Sequence, residues 1–248
     1  MIRVAAVGDL HVGCEGPDPL CGAFANVHEH ADVLLLAGDL TQHGDPKEAR
    51  NLLHTIEKVR TPVVAVFGNH DYHMGHEEEL ARDLRGAGVH VLEAESVVLD
   101  VAGTKLGIAG CKGFGAGFPG ACGTEFGEPE MKAFIHHSKA AAHALGEALA
   151  AMVCDVRVAL THYAPVKDTL VGERLEIFPF LGSYFLGEVI DHAACDLALH
   201  GHAHRGTEHG MTPSGVPVRN VARPVIRCAY KVYRVAASTL RSSTPARC

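Results

Sequence analysis

Five times in 248 residues a short apolar run breaks off into polar side chains drawn from Asp, Asn and His. The breaks are Gly8-Asp9-Leu10-His11, Gly38-Asp39, Gly68-Asn69-His70-Asp71, Thr161-His162 and His200-Gly201-His202-Ala203-His204. Buried strands that end in this way deliver polar groups to one edge of an open α/β sheet, where such sheets present their ligands. This constrains the fold more than any other feature of the chain.

The stretches between these strands read as helices. Residues 2–7, 33–36 and 63–67 have strand character, and 20–30 and 46–59 have helical character, an alternation that signals βαβ units. Pro46 suits a first helical position and Asp45 an N-cap. A further helix is expected over 77–85, ended by Gly86 and Gly88. Strands at 97–101 and 105–109, joined through Ala102-Gly103-Thr104, form a hairpin and make the sheet mixed. A Gly-rich loop over 110–127 precedes an Ala-rich helix over 129–152. Strands follow at 156–160, 197–199, 216–221 and 228–235. One domain over residues 1–237 is expected, with 238–248 as a loose tail.

Composition narrows the function classes. The formal net charge is −7 and the charges are interspersed, so no basic arm or stripe offers itself to a nucleic-acid backbone. No stable nucleic-acid partner is expected. Neither a long apolar span nor a signal-peptide pattern occurs at the start MIRVAAVGDLH, so a soluble, cytoplasmic protein without a membrane partner is the expectation. The eight cysteines form no C-x-x-C pair and read as reduced thiols. Histidine is abundant, at 18 against 22 Lys plus Arg, and several stand at strand ends.

Each polar cluster has two readings. Asp9-x-His11 is either a pair of ligands for one ion or an ordinary loop pair, and Asp39 is either a ligand or a turn or capping residue. Asn69, His70 and Asp71 are all candidate ligands or proton donors, whereas a turn would need only one of them. His202 and His204, separated by one small residue, either point into the same loop mouth or are surface histidines. His162 ends the strand before them.

Taken together and in this order, the five clusters resemble the calcineurin-like metallophosphoesterase family, whose pattern is GD-x-H, GD, GNH-[DE], H and GH-x-H. One departure is Thr161, where many members have Gly. The resemblance spans residues 8–204. It implies a four-layer α/β/β/α sandwich of two mixed β-sheets with the site at the strand C-termini. It further implies that Asp9, His11 and His204 hold one divalent metal ion and Asn69, His162 and His202 a second, with Asp39 bridging them. Ions about 3.5–4 Å apart can clamp the attacking and leaving oxygens of an in-line displacement, with a shared hydroxide as nucleophile. The nitrogen and oxygen donor set fits Mn²⁺, Fe or Zn, with Mn²⁺ favoured by family habit. His70 is then free to stabilise the phosphoryl oxygens or protonate the leaving oxygen. Asp71 either fixes its tautomer or serves the turn. The implied activity is hydrolysis of a small phosphoester, with a nucleotide-like phosphodiester favoured. A phosphomonoesterase or protein phosphatase of the same family, and a noncatalytic scaffold, are the alternatives.

Two segments remain outside this motif set. GCKGFGAGFPGACG lacks the G-x-x-x-x-G-K-[ST] pattern and reads as a wall of the site carrying Phe114 and Phe118. Residues 163–183 are long and apolar for a loop, and form either a lid or, extended to 185, a subunit contact through which the chain oligomerises.

Overall fold

The computed structural model describes residues 1–15 and 20–237; the expected tail at 238–248 lies outside the described residues. In chain order the first half comprises β1 (Ile2–Val7), α1 (Leu20–Ala25), α2 (Val27–His30), β2 (Val33–Ala37), α3 (Pro46–Ile56), β3 (Val63–Val66), α4 (Glu77–Gly86), β4 (His90–Val91), β5 (Glu95–Val101) and β6 (Thr104–Cys111). The second half comprises β7 (Gly117–Phe118), β8 (Ala121–Cys122), α5 (Pro129–Ala151), β9 (Val156–Thr161), α6 (Phe178–Leu181), α7 (Tyr184–His192), β10 (Leu197–His200), β11 (His209–Met211), β12 (Pro217–Asn220), α8 (Arg223–Ile226) and β13 (Lys231–Val235).

Two mixed sheets result. One has the order β13-β1-β2-β3-β4 and the other β11-β12-β10-β9-β6-β5. All pairings among β1, β2, β3 and β4 are parallel, as are those joining β6, β9, β10 and β12. Within these two sheets only the edge strands β13, β11 and β5 run antiparallel to their neighbours; β7 and β8 form a small antiparallel pair apart from them.

The four layers follow from the period-2 alternation of strand side chains. In β2, Val33, Leu35 and Ala37 face the second sheet and meet Ile108, Val158, Leu160 and Leu199 in a core between the sheets. Leu34 and Leu36 point the other way, into a core with Phe24, Leu52 and Leu84 of the helices. Behind the second sheet, Leu145 and Leu149 of α5 and Leu186 and Ile190 of α7 form the outer helical layer. This is the expected α/β/β/α sandwich. Among the described residues no helix is long and apolar enough to cross a membrane.

Several boundaries differ from the sequence reading. The helix expected over 20–30 is two short helices, because Asn26 leaves helical geometry at φ −103 and ψ 6. α3 starts as expected: Asp45 accepts from the Lys47 N–H at 2.7 Å and Glu48 accepts from the Asp45 N–H at 3.4 Å. The Gly-rich loop is partly ordered as strand, since β6 runs on to Cys111 and β7 pairs with β8.

Leu35 is fully buried between the sheets. Leu35→Ala is expected to lower the unfolding free energy by about 2–5 kcal/mol, through lost transfer energy and an unfilled cavity. Urea denaturation measures this, and a loss below about 1 kcal/mol would contradict the packing described.

Candidate metal centre

Parallel strands end on the same side, so the residues following β1, β2, β3, β9 and β10 meet at one edge of the two sheets. Asp9 and His11 follow β1, Asp39 follows β2, Asn69 and His70 follow β3, His162 follows β9, and His202 and His204 follow β10. The turns that aim them are unusual. Asp9 (φ 58), His11 (φ 48), Asp39 (φ 49) and His202 (φ 69) all adopt left-handed backbone, which is disfavoured for residues other than glycine and clusters at functional sites. Close approach is equally demanding. A Cβ on Gly68 would overlap the Asp39 carboxylate, and one on Gly201 would crowd that of Asp9.

The donor atoms gather in three overlapping groups: Asp9, His11 and His204; His11, Asp39 and His70; and Asp39, His162 and His202. Within each group the atoms lie within 4.8 Å of one another. Asp39 is the hub. Its carboxylate is 3.3 Å from His162 Nε2, 3.8 Å from His11 Nε2 and 3.9 Å from His70 Nε2. Asn69 Oδ1 lies 3.1 Å from His162 Nε2, so the amide joins the Asp39–His162 side. Asp9 lies 2.8 Å from His204 Nε2 and accepts from the His202 N–H at 3.0 Å. Every residue the sequence motifs pointed to is thus in one cluster, except Asp71, whose place is described below.

A model for the calcineurin-like phosphoesterase family matches residues 2–206. The chain belongs to that family. A probable cyclic nucleotide phosphodiesterase from a Synechococcus strain is 31% identical over 80 residues, covering 28% of this chain and 31% of that protein. The chain therefore matches under a third of that relative's length. Among solved structures, the phosphopantetheinyl hydrolase of Mycobacterium tuberculosis superposes with a TM-score of 0.68 at 15% identity, covering 93% of this chain and 95% of that one. A putative 5′-nucleotidase from Staphylococcus aureus gives 0.58 at 16% identity, covering 88% of this chain and 48% of that one. These two likenesses bear on the fold.

Calcineurin-like phosphoesterases bind two divalent metals, and the donor set here suits such ions. Two carboxylates, several imidazoles and one amide oxygen form a mixed nitrogen and oxygen environment without thiolate. Asp9 and Asp39 are almost wholly buried, which makes their negative charge expensive unless a cation is close. The protein's own response shows this demand. Burial would raise the Asp39 pKa, but His162 and His70 outweigh it and hold the carboxyl below its ordinary range. Burial would likewise lower His162, yet Asp39 and Asp9 push it up. The hydrogen bond to Asp9 raises His204. By contrast, burial takes His202 down to about 4 and lowers His11 despite nearby Asp39 and Asp9, so these rings favour the neutral form that ligates metals.

Second partners orient the rings. His162 Nδ1 donates to the Ala37 carbonyl at 2.9 Å, leaving Nε2 for the cluster, and His202 Nε2 donates to the Phe180 carbonyl at 3.1 Å, leaving Nδ1. His70 Nδ1 donates to the Gln42 carbonyl at 2.7 Å, which turns Nε2 towards Asp39. That bond corrects the expectation that Asp71 orients His70. Asp71 is fully buried and accepts from the N–H groups of Leu40 (3.1 Å), Thr41 (2.8 Å) and Gly68 (2.8 Å) and from the Thr41 hydroxyl (2.6 Å). Its carboxylate is committed to tying the loop after β2 to the loop after β3, the turn role. Burial raises its pKa to about 6 in spite of these donors. Gln42 and Thr41 carried no sequence signal, since one acts through its backbone and the other through a tertiary contact.

The flanking segments also take their places. Lys112 lies over Tyr72 and Phe114 at 4.8 and 5.3 Å from their ring centroids, and its carbonyl accepts from His162 and Tyr163 N–H. Phe114 packs on Tyr163 at 5.8 Å and against His137 at 4.5 Å, so His137, although exposed, is also a packing residue. Phe118 is buried against Phe178. The 163–185 segment reaches the centre through the Phe180 carbonyl while the Phe180 ring is mostly exposed.

Two variants test this construction. Gly68→Ala is expected to displace Asp39 and abolish tight divalent-cation binding, read by calorimetric titration of metal-stripped protein; wild-type affinity in the variant would refute the close approach. Asp71→Asn places an amide donor among four donors and is expected to cost about 2–4 kcal/mol in urea denaturation. A neutral result would show that the tie between the loops is dispensable.

Proposed function

We propose that this calcineurin-like phosphoesterase is a phosphodiesterase, built as one catalytic domain over residues 1–237. The observation that carries the reading is the position of Asp39, a buried carboxylate within 4 Å of imidazoles contributed by both sheets. Asp9, His11 and His204 would hold one divalent ion and Asn69, His162 and His202 the other, with Asp39 serving both. Mn²⁺ is the proposed metal. Two such ions supply Lewis-acid polarisation of the phosphoryl oxygens and a water of lowered pKa.

The chain's own groups do the rest. His70 is the one ring of the cluster with substantial exposure and no acidic hydrogen-bond partner, its side chain being 42% accessible. With Nδ1 held by Gln42, its Nε2 faces the space beside Asp39, where it donates to a phosphoryl oxygen or gives a proton to the departing alkoxide. Water supplies the new P–O bond as the ester P–O bond breaks, so a diester yields a monoester and an alcohol. The description of the Synechococcus relative as a probable cyclic nucleotide phosphodiesterase supports a diester substrate.

Metal-stripped protein reloaded with Mn²⁺ is expected to hydrolyse bis(p-nitrophenyl) phosphate faster than p-nitrophenyl phosphate. Asp39→Asn should abolish turnover, and His70→Ala should lower kcat by about 10²–10⁴-fold, the usual contribution of a positioned proton donor. Faster turnover of the monoester would make the protein a phosphomonoesterase. No turnover of either ester with Mn²⁺, Fe²⁺ or Zn²⁺ would overturn the reading.

A further inference from the structure

An open cleft of about 690 Å³ adjoins the centre on the Asp9 side. Asp9 and His11 line one part of it, Arg223 and Arg227 another, and Leu10 and Leu20 contribute an apolar wall. The two arginines come from the stretch that follows β12, on the same edge as the metal ligands. The Arg223 N–H bonds the Gly8 carbonyl at 3.0 Å, and the Gly8 N–H bonds the Val221 carbonyl at 2.9 Å, so this stretch is fastened directly to the loop that carries Asp9. Arg227 ends α8 in left-handed backbone, φ 54 and ψ 30, a conformation that arginine holds only where its surroundings require it.

Neither guanidinium has a carboxylate or hydrogen-bond partner among the described residues. Some arginines of the chain are ion-paired, as Arg3 with Asp32 at 2.6 Å and Arg85 with Glu95 at 2.9 Å, and others are not; what sets Arg223 and Arg227 apart is that both line the cleft that Asp9 and His11 also line. The two unpaired cations therefore add positive charge to a cleft whose other end holds the acidic cluster. A planar guanidinium offers two parallel donors to a phosphoryl or carboxylate group and suits such recognition better than a point charge.

We infer that Arg223 and Arg227 bind a second anionic group of the substrate, so that the preferred phosphoester carries, on the portion lying in this cleft, a phosphoryl or carboxylate group besides the one that reacts. The inference rests on the phosphoesterase reading for the position of the reacting phosphate. It assigns the two arginines to substrate selection, a role separate from metal binding and from the proton transfer at His70.

The test compares adenosine 5′-monophosphate with α,β-methylene adenosine 5′-diphosphate as probes with one and two anionic groups. Each is titrated calorimetrically into Mn²⁺-loaded wild type and Arg223→Gln/Arg227→Gln, with melting temperature and bound-metal content measured alongside. The two-anion probe should bind the wild type roughly tenfold more tightly, the worth of one good charge-assisted contact, and the double variant should lose most of that preference. Equal affinity of both probes for the wild type, or an undiminished preference in the double variant, would overturn the inference. Should the double variant not fold, Arg227→Gln at an exposed position carries the same test: a preference reduced by about threefold supports the inference and an unchanged one refutes it. Turnover of bis(p-nitrophenyl) phosphate by the wild type is assayed in parallel. Its absence beside an arginine-dependent preference would remove the esterase reading and leave the anion site standing.

Discussion

Two carboxylates buried at the junction of two sheets set the terms for everything around them. Asp9 and Asp39 have almost no contact with solvent, and a low-dielectric setting makes such charge costly unless it is matched locally. The match comes from imidazoles and backbone N–H groups: His162, His11 and His70 around Asp39, and His204 and the His202 N–H around Asp9. Protons or cations must complete the balance. The same requirement accounts for the left-handed backbone at four of these residues, a conformation sustained because the surrounding strands leave the loops no alternative.

The sheets make that concentration of polar groups possible by keeping it at their rim. Strands β1, β2 and β3 on one side and β9 and β10 on the other are parallel within their sheets, so their ends project ligands to a common edge while their bodies stay apolar. Leu35 and Leu160 belong to the same core yet lie only a few residues from Asp39 and His162. The packing that stabilises the sandwich is therefore also what fixes the spacing of the ligands. Asp71 adds a polar tie of its own, closing the loops after β2 and β3 onto one another through four donors.

The parts legible in the sequence were those written locally. Strand ends followed by Asp, Asn or His located the cluster, and Asp45-Pro46 located the start of α3, because capping and strand termination depend on adjacent residues. The two-residue strand β4 and the three-residue strand β11 were not legible, since elements that short exist only through their pairing partners. Asn26 split a helix that the apolar spacing suggested was continuous. Of the two readings of Asp71, the sequence could not choose the turn role, for a related reason. Its neighbour in sequence is His70, but its partners are Leu40 and Thr41, some thirty positions earlier. Gln42 contributes only a carbonyl, and Arg223 and Arg227 stand in a stretch without periodicity, so no pattern of residue types marked them.

The fold also fixes when the centre can come into being. Asp9 and His204 are 195 positions apart in sequence, and His162 meets Ala37 across 125. Contacts of such separation form late, after the loop-closure entropy of nearly the whole chain has been overcome. A partly folded chain thus owns at most fragments of the ligand set. Divalent ions that recognise the complete set lend their binding free energy to the native state alone, so cation supply governs the lifetime of the finished molecule and has little hold on the speed at which it is reached.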